Sequence, residues 1–435
     1  MKQYAPQDIR NLALVAHQAA GKTTLAEAIL FRTGAIARMG SVDEGTSNLD
    51  YHVSEIERKT SIYTSLGACE HEKTKFNLLD TPGFEDFRGD VISALSVVES
   101  AIMVVRADAG VEVGTDALWA TLDEMEMPAI FVVSKMDKEH ANFSTCFDQI
   151  RERLSSKAVA MQLPIGEGEG FHGLIDLASG KAYNYANPGE PKEIEIPVEM
   201  QADYEIAREE LLNAAAEHDD ALVEKFLEEG TLSYEEIVQG IRIGVRDRSF
   251  FPVCLASPIS GIGMRPLLHT IKEYLPSAKD RAPLTLVRDE ASATVEAGAT
   301  SPSLARVFKI SLEKDAGDFA LMRVFSGEIA VGTEVHNVSR DGSERLSQLF
   351  GLEGKNREKI EKITAGDLGA AVKLKDTHCG DTLAGKGVDA KLPPIVYPAP
   401  NSRVTLKPIH DGEDDKIAQG LHKLHEEDPT FILNN

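Results

Sequence analysis

Five continuous apolar runs constrain the fold of this chain most: "NLALVA" (11–16), "FNLLD" (76–80), "AIMVVRA" (101–107), "AIFVVSK" (129–135) and "PVCLAS" (252–257). Apolar residues follow one another in them without alternation, so each reads as a strand buried on both faces. Helical patterns separate most of them. Such alternation implies a parallel sheet covered by helices, with ligands at the C-terminal ends of the strands.

At 435 residues the chain has room for about three domains, and its 42% apolar content is ample for packed cores. No stretch of about 18 apolar residues occurs, and the opening "MKQYAPQDIR" lacks the apolar region of a signal peptide. A soluble cytoplasmic protein without membrane partners is the expectation. The formal charge of −24, from 46 basic and 70 acidic residues, repels polyanions. DNA is therefore excluded as a partner, and any RNA contact has to be local. Cys69, Cys146, Cys254 and Cys379 form no CxxC pair, which argues against zinc and disulfides and for core positions in a reducing compartment.

The alternation breaks between residues of about 158 and 245. There "LPIGEGEGFHGLIDLASGKAYNY" reads as hairpin strands joined by glycine turns, followed by the acidic helices of "QADYEIAREELLNAAAEHDDALVEKFLEEG". This is an insertion in the first domain. Its GxGxxG match, Gly168 to Gly173, precedes a strand pattern rather than a helix and reads as turns. The passage "RDEASATVEAGATSPS" (288–303) separates the first part from short alternating strands spaced like a small antiparallel barrel. After a "YPAPN" linker, "SRVTLKP" reads as a strand, Ile417, Leu421 and Leu424 mark one face of a helix, and "TFILNN" reads as a second strand. That helix should stay partly exposed.

Three short motifs carry the chemistry. "AHQAAGKTT" (16–24) joins the first strand to a helix. Backbone N–H groups of Ala16, His17, Gln18, Ala19, Ala20, Gly21, Lys22, Thr23 and Thr24 would cradle phosphate oxygens there. Lys22 would reach the β and γ phosphates, and Thr23 would ligate Mg²⁺. "DTPG" (Asp80, Thr81, Pro82, Gly83) follows a second strand: Asp80 can hold Mg²⁺ through a water, and the Gly83 N–H can meet the γ-phosphate. "SKMD" (Ser134, Lys135, Met136, Asp137) ends a further strand, with Asp137 placed to accept from guanine N1 and N2 and the Lys135 stem to cover the ring. Alone, DTPG is an ordinary turn and SKMD a surface loop. Together they stand in the order and rough spacing of a GTPase.

With the insertion, the barrel and the "LHEEDPTF" ending, this series resembles the translational GTPases, elongation factor G most closely. The resemblance implies an α/β P-loop GTPase domain (1–285) with an inserted α+β subdomain, a β-barrel domain (286–398) and a partial ferredoxin-like segment (399–435) that begins a third domain cut short. It implies GTP/GDP and Mg²⁺ as ligands, and the ribosome, both rRNA and stalk proteins, as partner of a monomer. The family's switch Thr on Mg²⁺ falls at Ser61, in "ERKTSI", with Thr60 as a neighbour able to substitute. Ser134 replaces the family's Asn and should reduce contact to the loop and base. Ser257, in "LASP", falls where neighbouring backbone contacts guanine O6. Ala19 replaces an Asp usual in the loop.

The largest departure is Phe84 in "DTPGFEDF". The family places His there to orient the attacking water. Lys22, Gly83 and position 84 are the catalytic set the resemblance implies. Phe has neither donor nor acceptor, so a direct loss costs about 100-fold, near 3 kcal/mol. Phe84 in an apolar gate, or Glu85 or a ribosomal group on the water, are the alternatives. Two functions follow: a GTPase coupled to a translation step, or a GTP-dependent ribosome-binding switch or protection-type factor without efficient hydrolysis.

Overall fold

The structure is a computed structural model that describes residues 2–185, 191–288, 291–296, 298, 302–313, 317–400, 402–409 and 412–433. The chain forms two compact units, one of residues 12–85 and 99–276, the other of residues 1–11, 86–98 and 277–435.

The first unit is built on β1 (Ile9–Val15), α1 (Lys22–Arg32), α2 (Val53–Arg58), β2 (Ser65–His71), β3 (Thr74–Asp80), β4 (Ser100–Arg106), α4 (Val113–Glu124), β5 (Ala129–Ser134), α5 (Phe143–Arg153), β6 (Ala158–Ala160), β11 (Phe251–Leu255) and α9 (Met264–Tyr274). Helix α3 (Arg88–Leu95) lies within the second unit. The seven-stranded sheet runs β2-β3-β1-β4-β5-β11-β6. All five apolar runs are strands of it. Strands β1, β4, β5, β11 and β6 pair in parallel, and β2 pairs antiparallel with β3 from Ser65↔Asp80 to His71↔Thr74. The sheet is thus mixed rather than purely parallel. Strand β2 escapes the sequence pattern because "SLGACEH" is short of branched apolar residues and is buried only over its first five positions. Trp119 on α4 fills the core against Phe131 and Phe251, with ring centroids 5.0 and 5.1 Å away.

The chain leaves this sheet after Met161 and returns at Phe251. Between them a four-stranded antiparallel sheet, β7 (Gln162–Ile165), β8 (Gly173–Asp176), β9 (Lys181–Asn184) and β10 (Lys192–Ile194), precedes α6 (Gln201–Ala216), α7 (Asp220–Glu229) and α8 (Tyr234–Arg246). Gly173 opens β8, so the GxGxxG match is turn and strand rather than a dinucleotide loop. Residues 186–190 of this stretch lie outside the described residues.

The second unit opens with a hairpin, β12 (Leu284–Arg288) and β13 (Ala291–Val295), so part of the expected separator is strand. Its Ser-Ala-Thr-Val run has the β-branched residues a ladder favours. The rest of that separator falls largely outside the described residues. An eight-stranded antiparallel sheet follows: β14 (Leu304–Glu313), β15 (Gly317–Ser326), β17 (Glu334–Asn337), β18 (Gly342–Arg345), β19 (Leu349–Glu353), β20 (Asn356–Ile360), β22 (Leu368–Val372) and β23 (Thr382–Ala384), with β16 (Glu328–Ala330) pairing β21 (Lys362–Thr364) beside it. Val307, Ile310, Met322, Val324, Ile329 and Leu383 are among its core.

Helix α3 packs in this same unit. Lys309 on β14 bonds Asp90 at 3.0 Å in a nearly buried pair, Tyr397 meets Ser93 at 2.8 Å, and Arg281 donates to the Val98 carbonyl at 2.7 Å. At the end of the chain α10 (Asp414–Glu427) forms, but 402–408 and 430–433 are not strands. The expected half-sheet is absent among the described residues because neither segment finds a partner ladder, and a strand without one is not stable. As expected, α10 buries no residue and Leu424 stays 51% exposed. Cys69, Cys146 and Cys254 are buried and Cys379 half-buried, and none is in a disulfide among the described residues.

Candidate functional site

The site begins where β1 ends. The turn into α1 holds Ala19 at φ 57° and Gly21 at φ 92°, the alternation that points successive N–H groups into one concavity. Helix α1 starts at Lys22 without a side-chain cap, which leaves its first N–H groups and the positive end of its dipole for an anion. Lys22 is buried, its ammonium 3.4 Å from the Ala16 carbonyl. A Cβ on Gly83 would stand 2.6 Å from that ammonium and 3.1 Å from the Gln18 nitrogen, so a larger residue there would push the Lys22 ammonium aside. Lys22, Gln18 and Gly83 therefore converge. His17 stands 3.5 Å from Glu112, and Thr81 spends its hydroxyl on the Leu14 carbonyl at 2.6 Å, tying β3 to β1.

Beside them the hydroxyls of Thr23 and Ser61 bond each other at 3.0 Å. Ser61 supplies the expected hydroxyl, across 38 residues. Two buried carboxylates, Asp80 and Asp50, face this point, and none of their four oxygens has a well-formed hydrogen bond among the described residues. Burial pushes Asp80 up to about 8; Asp50 adds to that, while Lys22 and Thr23 oppose it. Burial also raises Asp50, against Ser61 and Lys22, and pulls the Lys22 ammonium down against the attraction of both acids. A buried acid with free lone pairs calls for a cation. Two hydroxyls with one or two carboxylates suit Mg²⁺ completed by phosphate and water oxygens; no group of three acids, His or Cys forms a metal cage among the described residues. The residues fit the ion.

The base side is equally ordered. Ser134 is buried and donates to the Ala20 carbonyl at 2.8 Å and to that of Val105 at 3.3 Å. Contact to the loop at this position is thus made through a single hydroxyl. Lys135 donates to the Ala19 carbonyl at 2.8 Å, Met136 is buried beneath, and Asp137 accepts from Ser257 at 2.7 Å. Ser257 acts here through its hydroxyl, which aims the carboxylate; the expectation concerned neighbouring backbone.

Phe84 is 38% exposed, at the surface rather than enclosed. Three residues escaped the sequence reading: Asp50, Glu27 and Glu55, all buried. A lone acid inside the apolar helix "KTTLAEAILFR" was the available signal for Glu27. Asp50 has no local signal at all.

The chain matches known protein families. Residues 7–277 match the elongation factor Tu GTP binding domain, and residues 302–386 match elongation factor G domain 2. The chain is also similar to a crystal structure of a Thermus thermophilus protein, at 32% identity over 98% of this chain and with a TM-score of 0.86. It spans 62% of that protein's length.

Proposed function

Because the chain belongs to the translational GTPases and is elongation factor G-like, we propose that it binds GTP and GDP with Mg²⁺ and couples GTP hydrolysis to a step on the ribosome, as a cytoplasmic monomer. Residues 1–285 are then its nucleotide domain, 286–398 its second domain, and 399–435 the start of a third. The observation that carries this reading is the convergence of Lys22, Gly83, Thr23, Ser61 and Asp80 on one buried point.

In this reading N–H groups of residues 16–24 hold the phosphates and Lys22 neutralises them. Thr23, Ser61 and Asp80, with Asp50, would hold Mg²⁺, which would supply charge neutralisation to the phosphates. Asp137, aimed by Ser257, accepts from guanine N1 and its 2-amino group. The Phe84 side chain offers no polar atom, so the attacking water would be oriented by Glu85 or by a ribosomal group. A GTP-dependent switch with slow hydrolysis is the second reading, favoured by Phe84. RNA contact would be confined to local patches of an acidic protein; among the described residues no helix is long and apolar enough to cross a membrane.

Competition of GTP, ATP and XTP for a fluorescent GDP analogue tests the proposal. GTP should win in the parent, and Asp137→Asn should move preference toward XTP, whose 2-oxo group needs a donor. Equal displacement by ATP overturns it.

A further inference from the structure

Two buried carboxylates outside the three motifs, Glu27 and Glu55, hold the loop between Gly40 and Tyr63 from inside. Glu27, 1% exposed on α1, accepts five hydrogen bonds. Its Oε1 takes the Ser47 hydroxyl at 2.8 Å, the Asn48 N–H at 2.5 Å and the Leu49 N–H at 3.3 Å. Its Oε2 takes the Gly40 N–H and the Asn48 side-chain amide, both at 2.9 Å. The Ser47 oxygen accepts in turn from the Asp50 N–H at 3.1 Å. One chain of hydrogen bonds therefore runs from α1 to the backbone of Asp50. The fit is close: a Cβ on Gly40 would meet Ser47 Cα and the Thr46 oxygen at 2.7 Å. At the other end Glu55, fully buried, accepts from Ile62 N–H at 3.0 Å, Tyr63 N–H at 3.1 Å and His52 N–H at 3.2 Å, next to Ser61.

With five donors on its two oxygens, Glu27 has no lone pair to turn toward an ion. Its work is done through Asp50. We propose that Glu27 and Glu55 are positioning residues that seat Asp50 and Ser61 at the Mg²⁺ site, so that the metal affinity of the nucleotide complex depends on side chains that never touch the metal. This rests on the nucleotide reading above. Networks of this kind, when every member is satisfied, hold a single geometry. Removing such a support costs metal sites about 10- to 100-fold in affinity.

The test uses the full chain loaded with a fluorescent GDP, with release followed against free Mg²⁺. In Glu27→Gln the amide has one acceptor oxygen and must turn its NH₂ toward at least two of the former donors. The Mg²⁺ concentration that half-maximally slows release should rise about tenfold, while GDP affinity in EDTA stays that of the parent. Trypsin cleavage after Arg58 and Lys59 in the nucleotide-free chain should quicken several-fold as the loop comes free. Ser47→Ala breaks the same relay without altering α1, should move the Mg²⁺ midpoint in the same direction by about threefold, and decides the matter if Glu27→Gln does not fold. An unmoved midpoint in a folded variant overturns the proposal, as does an equal loss of affinity with and without metal. A parent that releases GDP at a rate indifferent to Mg²⁺ overturns the nucleotide reading itself.

Discussion

Asp80 at the end of β3 and Glu344 on β18 are both almost fully buried carboxylates, 1% and 3% exposed, yet they sit in opposite electrostatic situations. Glu344 accepts the Lys375 N–H at 2.9 Å, the Asp376 N–H at 2.8 Å and the Thr377 hydroxyl at 2.9 Å, and so holds the 373–381 loop of the barrel unit. Asp80 has no well-formed bond and shares its surroundings with a second bare acid, Asp50, and a buried ammonium. Burial alone does not mark a site. A carboxylate whose lone pairs are used is architecture, and one whose lone pairs are kept free is held for a ligand.

The contrast breaks most sharply under substitution. Asp80→Asn should weaken Mg²⁺-dependent GDP binding by about 100-fold. It should leave the unfolding free energy of the ligand-free protein within about 0.5 kcal/mol, because the amide replaces a carboxyl that burial already keeps protonated at neutral pH. Nucleotide titration with and without Mg²⁺, beside urea unfolding, reads both. Glu344→Gln should do the reverse, costing about 2 kcal/mol in urea unfolding by turning an NH₂ onto N–H donors, with nucleotide binding unchanged. If Asp80→Asn destabilises as much as Glu344→Gln, the two carboxylates are the same kind of group and the comparison fails.

Phe84 sharpens the contrast on the first unit's own ground. The residues around Lys22 supply phosphate and metal contacts in ground and transition state alike, whereas a water-orienting side chain acts mainly in the latter. Phe84→His should raise ribosome-stimulated turnover about tenfold, roughly 1.4 kcal/mol of barrier. GTP affinity should change little. The measurement is single-turnover hydrolysis on ribosomes, in a chain extended by the further domains of an elongation factor G-like relative. Slower turnover in Phe84→His would show that another group positions the water and that Phe84 belongs to a gate.

The last contrast is in pH. The folded ligand-free chain keeps the Asp80 proton up to about pH 8, whereas the unfolded chain releases it near the ordinary Asp value. Between those limits the folded state binds more protons, so stability is fully present at acid pH and declines as pH rises toward 8. The slope for this single proton is at most about 1.4 kcal/mol per pH unit. Mg²⁺ with GDP should flatten it, since the ion favours the carboxylate. Thermal unfolding across roughly pH 5 to 9, with and without Mg²⁺-GDP, measures both slopes; equal slopes would mean that Asp80 does not meet the ion.

What could be read in the sequence is what neighbouring residues decide among themselves. The five buried runs, the glycine at 83 and the order of AHQAAGKTT, DTPG and SKMD are local patterns, and in the structure the runs are strands with the motifs at their ends. The tertiary structure alone decided the rest. Strand β2 owes its place to β3 rather than to its own composition, and the segments flanking α10 did not become strands for want of a ladder. In a chain with 70 acidic residues, Asp50, Glu55 and Glu344 look alike on paper, and Glu27 stands apart by its apolar helix alone. Folding took each out of water. It brought Gly40 to Glu27 across 13 residues and Thr377 to Glu344 across 33, and it left Asp50 bare beside Lys22. The energy of a buried charge depends on the partners folding supplies and not on its neighbours in sequence, which is why the motifs were legible and the carboxylates that support them were not.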